Sequence, residues 1–178
     1  MASKIFYLFL LFLAHSQPCT LVNGNLTLIK NTCKNTKYYD LCFSSLKSSL
    51  TSQKSDPKSL ATIMLRIGIA NATSTSSYLS SQFLGTSNDT TLKRVLKECA
   101  HKYAYAGEAL EASAQDLANE VYDFAYMHVT AASDYTNVCH NLFKVHHGLV
   151  YPSEVALRED GLKHICDVAL GIIDNLSW

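Results

Sequence analysis

From Leu92 onward, apolar and small residues recur as Leu92, Leu96, Cys99, Tyr103, Ala106, Leu110, Ser113 and Leu117. That alternating four-three spacing predicts a helix packed lengthwise against neighbours. The rhythm returns as Val121, Phe124, His128, Ala131, Tyr135, Val138 and Leu142, predicting a second helix with this seam turned inward. An earlier helix starts at Asp56-Pro57, where an N-cap acceptor precedes a proline at the first helical position. Its stripe is Leu60, Ile63, Met64, Ile67 and Ala70, with Tyr78 and Phe83 beyond. The Ser/Thr-rich interval 71–81 lowers helix propensity, and Gly85 with the polar residues after it ends the element.

A break at Gly148 to Pro152 precedes the last helix, whose apolar set is Leu162, Ile165, Cys166, Ala169, Ile172, Ile173 and Leu176. Residues 25–52 hold two shorter amphipathic pieces, with Leu26, Ile29, Leu41, Leu46 and Leu50 as apolar positions. Such a pair is too short to be stable alone and must lean on a larger body or on a covalent tie. β-Branched residues are dispersed, and no Asn-Gly turn lies between alternating runs. The predicted fold is all-α: an up-down-up-down four-helix bundle over 56–178, preceded by a helical hairpin.

The N-terminus changes the picture. Lys4, the apolar run Ile5 to Ala14 and the small-x-small Ala14-His15-Ser16 read as a secretory leader cleaved after 16. A second site is Val22-Asn23-Gly24, giving cleavage after 24 and a mature domain over 25–178. Secretion gives the cysteines meaning. Cys33, Cys42, Cys99 and Cys139 allow three connectivities, of which local pairing, 33–42 with 99–139, is the simplest. The first bond would close the hairpin; the second would join two antiparallel helices. Chain-entropy arguments give roughly 3 kcal/mol for the short loop and roughly 4 kcal/mol for the long one. Cys166, on an apolar stripe, reads as a buried thiol unless it bonds Cys19. The glycosylation acceptors Asn25, Asn71, Asn88 and Asn175 agree with the secretory route.

Charge excludes some functions. With 15 basic and 15 acidic residues, the chain has no basic excess for nucleic acid or an anionic membrane. Nucleophile-elbow, zinc-protease and phosphate-loop motifs are missing from the sequence, so the reading is not an enzyme. Glu108, Glu111, Glu120 and Asp123 read as solvated helix faces. His140, His146, His147 and His164 match no helical ligand spacing, so no metal and no cofactor is expected. His128 reads as a packed, hydrogen-bonded histidine, and histidine is the side chain able to sense mildly acid pH.

Certain residues carry a likeness. They are Thr32-Cys33-Lys34 with Tyr39-Asp40-Leu41-Cys42, the Leu92 to Cys99 helix followed by Tyr103, Ala131-Ala132-Ser133-Asp134 ahead of Cys139, and the apolar tail Val168 to Leu176. In this order they resemble the plant invertase and pectin methylesterase inhibitor family, most closely its plane-pollen-allergen-like invertase-inhibitor branch. The resemblance implies a secreted apoplastic protein, monomeric when free, that blocks a cell-wall enzyme in a one-to-one complex. It also implies that invertase inhibitors insert a Pro-Lys-Phe tripeptide, matched here by Tyr122, Asp123 and Phe124. Replacing the lysine by Asp123 removes attraction for acidic catalytic groups. The expected target is therefore pectin methylesterase first, acid invertase second. A structural or defence bundle without an enzyme target is a third reading. The expected contact residues are Glu120, Tyr122, Asp123, Phe124 and Tyr126, with the aromatics as anchors.

Overall fold

A computed structural model describes residues 19–49, 56–85 and 89–176. Among these the chain is helical throughout, as α1 (Cys19–Cys33), α2 (Tyr39–Ser49), α3 (Pro57–Gly85), α4 (Thr90–Ala118), α5 (Tyr122–Val145) and α6 (Ser153–Asp174). Helices α3 to α6 form the predicted bundle, each packed along two neighbours in the order α3–α4–α5–α6–α3. The leader cleaved after 16, Leu50 and Asn88 lie outside the described residues; the alternative cleavage site falls within α1.

The Asp56-Pro57 start signal acts as read. Asp56 accepts the Ser59 backbone N–H at 2.7 Å ahead of Pro57, and Asp89 caps α4 through Leu92 N–H at 2.9 Å. The Ser/Thr-rich interval does not end α3, which stays helical to Gly85. Thr75 bonds back to the Asn71 carbonyl, and Ser76 donates across to the Ala100 carbonyl of α4 at 2.8 Å. Tertiary contact overrides the local preference.

The seams of α4 and α6 are as predicted, with Leu96, Cys99, Tyr103, Ala106, Leu110, Ser113 and Leu117 buried on one, and Leu162 to Ile173 on the other. The α3 stripe keeps Leu60 and Met64 but leaves Ile63 and Ile67 half-buried and Ala70 exposed. On α5 the predicted seam is wrong by one position along its whole length. The buried residues are Ala125, Val129, Ala132, Thr136, Cys139 and Phe143, each one step after a predicted one. One residue turns a helix by about 100°. The cause is proximity: α4 and α5 are bonded through Cys99 and Cys139, with Cα atoms 4.8 Å apart. Ser113 of α4 also donates to the Ala125 carbonyl at 2.9 Å. At that spacing small side chains face inward, and the larger Phe124 and Val138 are turned out.

The hairpin is tied by Cys33–Cys42, Cα atoms 5.6 Å apart, and packs on its own bundle against α3 and α6. Lys37 bonds Asp167 at 2.9 Å, Tyr38 stacks on His164, and Asn35 donates to Asn175 at 3.1 Å. Gly171 permits this docking: a Cβ there would sit 3.2 Å from the Asn35 carbonyl oxygen and from Thr36 Cα. Cys166 is a buried free thiol, and no described helix is long and apolar enough to cross a membrane.

Candidate functional site

Four of the five expected contact residues, all but Tyr126, share one recess at the bundle end where α4 turns into α5. Glu120, Val121, Tyr122, Asp123 and Phe124 line an open recess of about 300 Å³. The backbone builds it. Asn119 caps α4, Glu120 N–H donates to the Leu117 carbonyl, and Val121 N–H reaches back to the Asp116 carbonyl at 2.9 Å. That pair of bonds is the Schellman arrangement, whose left-handed position glycine normally fills. Here Glu120 occupies it, with φ of 63°. Its carboxylate accepts a bond from Lys58 Nζ, in the first turn of α3, at 2.9 Å.

The expected tripeptide is not a free loop. Tyr122 begins α5, and Asp123 lies in its first turn, where the helix macrodipole favours an acid. Tyr122 is half-buried against the core, whereas Phe124 is 55% exposed and Tyr126 42% exposed. Sequence reasoning missed Met127, 62% exposed and three residues after Phe124, and Val121, three before it. It placed Val121 on the inward seam and passed over Met127. A register set from Cys139 would have turned Met127 outward, whereas Val121, about five turns before Cys139, is exposed because it lies at the N-cap, outside the helix.

A second, polar cleft of about 650 Å³ lies between α5 and α6 near the other end of α5, lined by His140, Lys144, Asp160 and Lys163 among others. Its floor is Glu159, only 4% exposed. Tyr151 donates to Glu159 at 2.6 Å, His140 Nδ1 lies 3.1 Å from the same oxygen, and Lys163 bonds the other oxygen. Burial alone would raise the Glu159 pKa, but these donors outweigh it and hold the carboxyl below its usual range. Burial, reinforced by the Glu159 bond, pushes the Tyr151 phenol up, so it stays a donor. His128 is hydrogen-bonded as expected, 2.7 Å from Asp116, but at the rim of the α4–α5 interface and not on its seam. Among the described residues no group of three or more His, Cys, Asp or Glu side chains is placed to hold a metal. Of the acceptor asparagines, Asn175 is exposed and Asn25 half-buried. Asn71 has its Oδ1 buried and its Nδ2 toward Gly161 of α6.

The chain is an all-α protein in which a disulfide-tied hairpin docks on a four-helix bundle, with an apolar ridge beside the α4–α5 turn. Its profile match is specific: the plant invertase/pectin methylesterase inhibitor family covers residues 27–172, and the chain belongs to this family of enzyme inhibitors. Among its relatives, the cell wall/vacuolar inhibitor of fructosidase 2 of Arabidopsis thaliana is 46% identical over 99% of both chains. Pectinesterase inhibitor 28 of Oryza sativa subsp. japonica is 35% identical over 84% of this chain and 69% of its own. Of solved structures, a mutant form of an Arabidopsis pectin methylesterase inhibitor superposes with a TM-score of 0.67 at 25% identity, over 82% of this chain and 95% of that one.

Proposed function

We propose that the chain inhibits an acid β-fructosidase (an invertase) by seating the Phe124 ridge and its recess over the enzyme's active-site mouth. The observation carrying this reading is the 46% identity, end to end, to an inhibitor of fructosidase. The acid at position 123, which counted against invertase in the sequence, also has a part in the fold. Asp123 has a local reason to be acidic, because it sits in the first turn of α5. Exposed Phe124, Tyr126 and Met127 are the side-chain types that anchor interfaces. The chain acts by covering a site, with no bond made or broken in the inhibitor.

Pectin methylesterase is the second reading, favoured by the superposition on pectin methylesterase inhibitors. Titration of the purified protein against both enzymes tests the proposal. The expected result is stoichiometric loss of fructosidase activity with pectinesterase unaffected. The reverse pattern would transfer the assignment, and no inhibition of either would leave a bundle without an enzyme target. The leader and the acceptors Asn25 and Asn175 support delivery through the secretory route to the cell wall or vacuole. At Asn71 a glycan would have to fit between α3 and α6, which the buried amide opposes.

A further inference from the structure

Two neighbouring residues at the recess each defy their local setting. Glu120 takes a left-handed conformation that a side chain disfavours. Lys58 puts a cation in the first turn of α3, at the positive end of a helix dipole. Each meets the other at 2.9 Å, yet the Glu120 side chain is 66% exposed and that of Lys58 35%. Exposed pairs of this kind add little to stability. Fold stability therefore does not account for two adjacent departures from local preference, and sites that bind a partner are where such departures collect.

We propose that Lys58, held at the recess by Glu120, is the cation this inhibitor presents to the carboxylates of the fructosidase active site, and that Glu120 is its positioning residue. The inference rests on the fructosidase reading above. Enzymes that hydrolyse glycosidic bonds work with a pair of carboxyl groups, at least one of them ionised. A surface that plugs such a site gains specificity by bringing a positive charge to it. The α4–α5 turn carries Glu120 and Asp123 and contributes no cation of its own between Asn119 and Met127. Lys58, which does not itself line the recess, supplies one from another helix through its bond to Glu120, which does. An ammonium has three donors, of which Glu120 takes one. The Glu120 bond, with the Glu120 charge behind it, raises the lysine's pKa and keeps it charged.

The test is inhibition of an acid fructosidase by the full chain as wild type, Lys58→Met, Lys58→Arg and Phe124→Ala, each measured from low to high ionic strength. Thermal melts run alongside. Lys58→Met should raise the inhibition constant at least tenfold at low salt, flatten its salt dependence and leave the melting temperature unchanged. Lys58→Arg should restore most of the affinity and the salt dependence. If Lys58→Met inhibits like wild type with the same salt slope while Phe124→Ala is weakened, the lysine proposal is overturned and the ridge stands. If Phe124→Ala is also without effect, or the wild type does not inhibit fructosidase, the underlying reading falls and takes the proposal with it.

Discussion

The two ends of α5 are built to opposite rules. Toward its C-terminus, Cys139 and Phe143 are buried, Cys139 is bonded to α4, and the polar groups nearby converge on Glu159. Tyr151, His140 and Lys163 all meet that carboxylate, and only the buried Tyr103 hydroxyl beside them lacks a partner among the described residues. Toward its N-terminus, Val121, Phe124, Tyr126 and Met127 stand in solvent, and the preceding residue holds a conformation glycine would hold more easily. One end is tied to its neighbours by a disulfide and a shared carboxylate, although Val138 and Val145 are exposed there too; the other shows two aromatic rings and a methionine to solvent. The difference separates residues that keep the bundle folded from residues that the fold merely presents.

The contrast breaks most severely at the stable end. Replacing Cys99 and Cys139 by serine opens a 40-residue separation and should cost about 4 kcal/mol, read as a drop in denaturant midpoint. Inhibition per folded molecule should survive, because the Phe124 ridge lies at the other end of α5. Next comes Glu159→Ala, which leaves Lys163, Tyr151 and His140 without their common acceptor. Loss of such a buried hub costs about 3 kcal/mol.

The same carboxylate makes a pH prediction. Its folded pKa lies below the unfolded value, near the ordinary 4.5. Its stabilisation is therefore fully present above that pH and is lost as pH falls through the folded value. The acid side of the melting-temperature profile should flatten in Glu159→Gln, while the profile above pH 6 keeps its shape with a lower plateau. An unchanged acid limb would remove Glu159 as its cause.

Phe124→Ala sharpens the other half of the comparison. Because the ring is 55% exposed, stability should change by no more than about 0.5 kcal/mol. Fructosidase inhibition should weaken by about 2 kcal/mol if the ring is an anchor. A mutant that melts early and inhibits normally would invert the assignment of the two ends.

How much of this was legible in the sequence depended on what set each helix's register. On α4 and α6 large apolar residues recur at helical spacing, with small ones such as Ala106 and Ser113 of α4 between them, and that repeat located the core correctly. On α5 size misled, because a close approach to α4 selects Ala125, Ala132 and Thr136 for the interior. The cysteine pairing held the missing information: a residue bonded across the interface must face it, and Cys139 defines the true stripe. The expected contact residues near 120–126 came from family likeness. Their exposure did not, since the mistaken seam had put Phe124 inside. Lys58 was beyond reach altogether, because its meeting with Glu120 spans 62 positions and no local pattern encodes it.

The smallest expected effect is the most discriminating. Glu120→Gly gives the Schellman position the residue it ordinarily takes, relieving a conformational cost of about 1 kcal/mol. Against that, glycine raises backbone freedom in the unfolded chain, and the solvent-exposed bond to Lys58, which adds little to stability, is lost. These terms nearly cancel, so the melting temperature should stay within about 2 °C of wild type. A residue that mattered only to the fold would show nothing further. If Glu120 instead sets where Lys58 stands, the stable variant should bind fructosidase more weakly and lose part of the salt dependence that Lys58 confers. Equal inhibition curves for Glu120→Gly and wild type would show that the turn needs no latch, and that the lysine finds its place unaided.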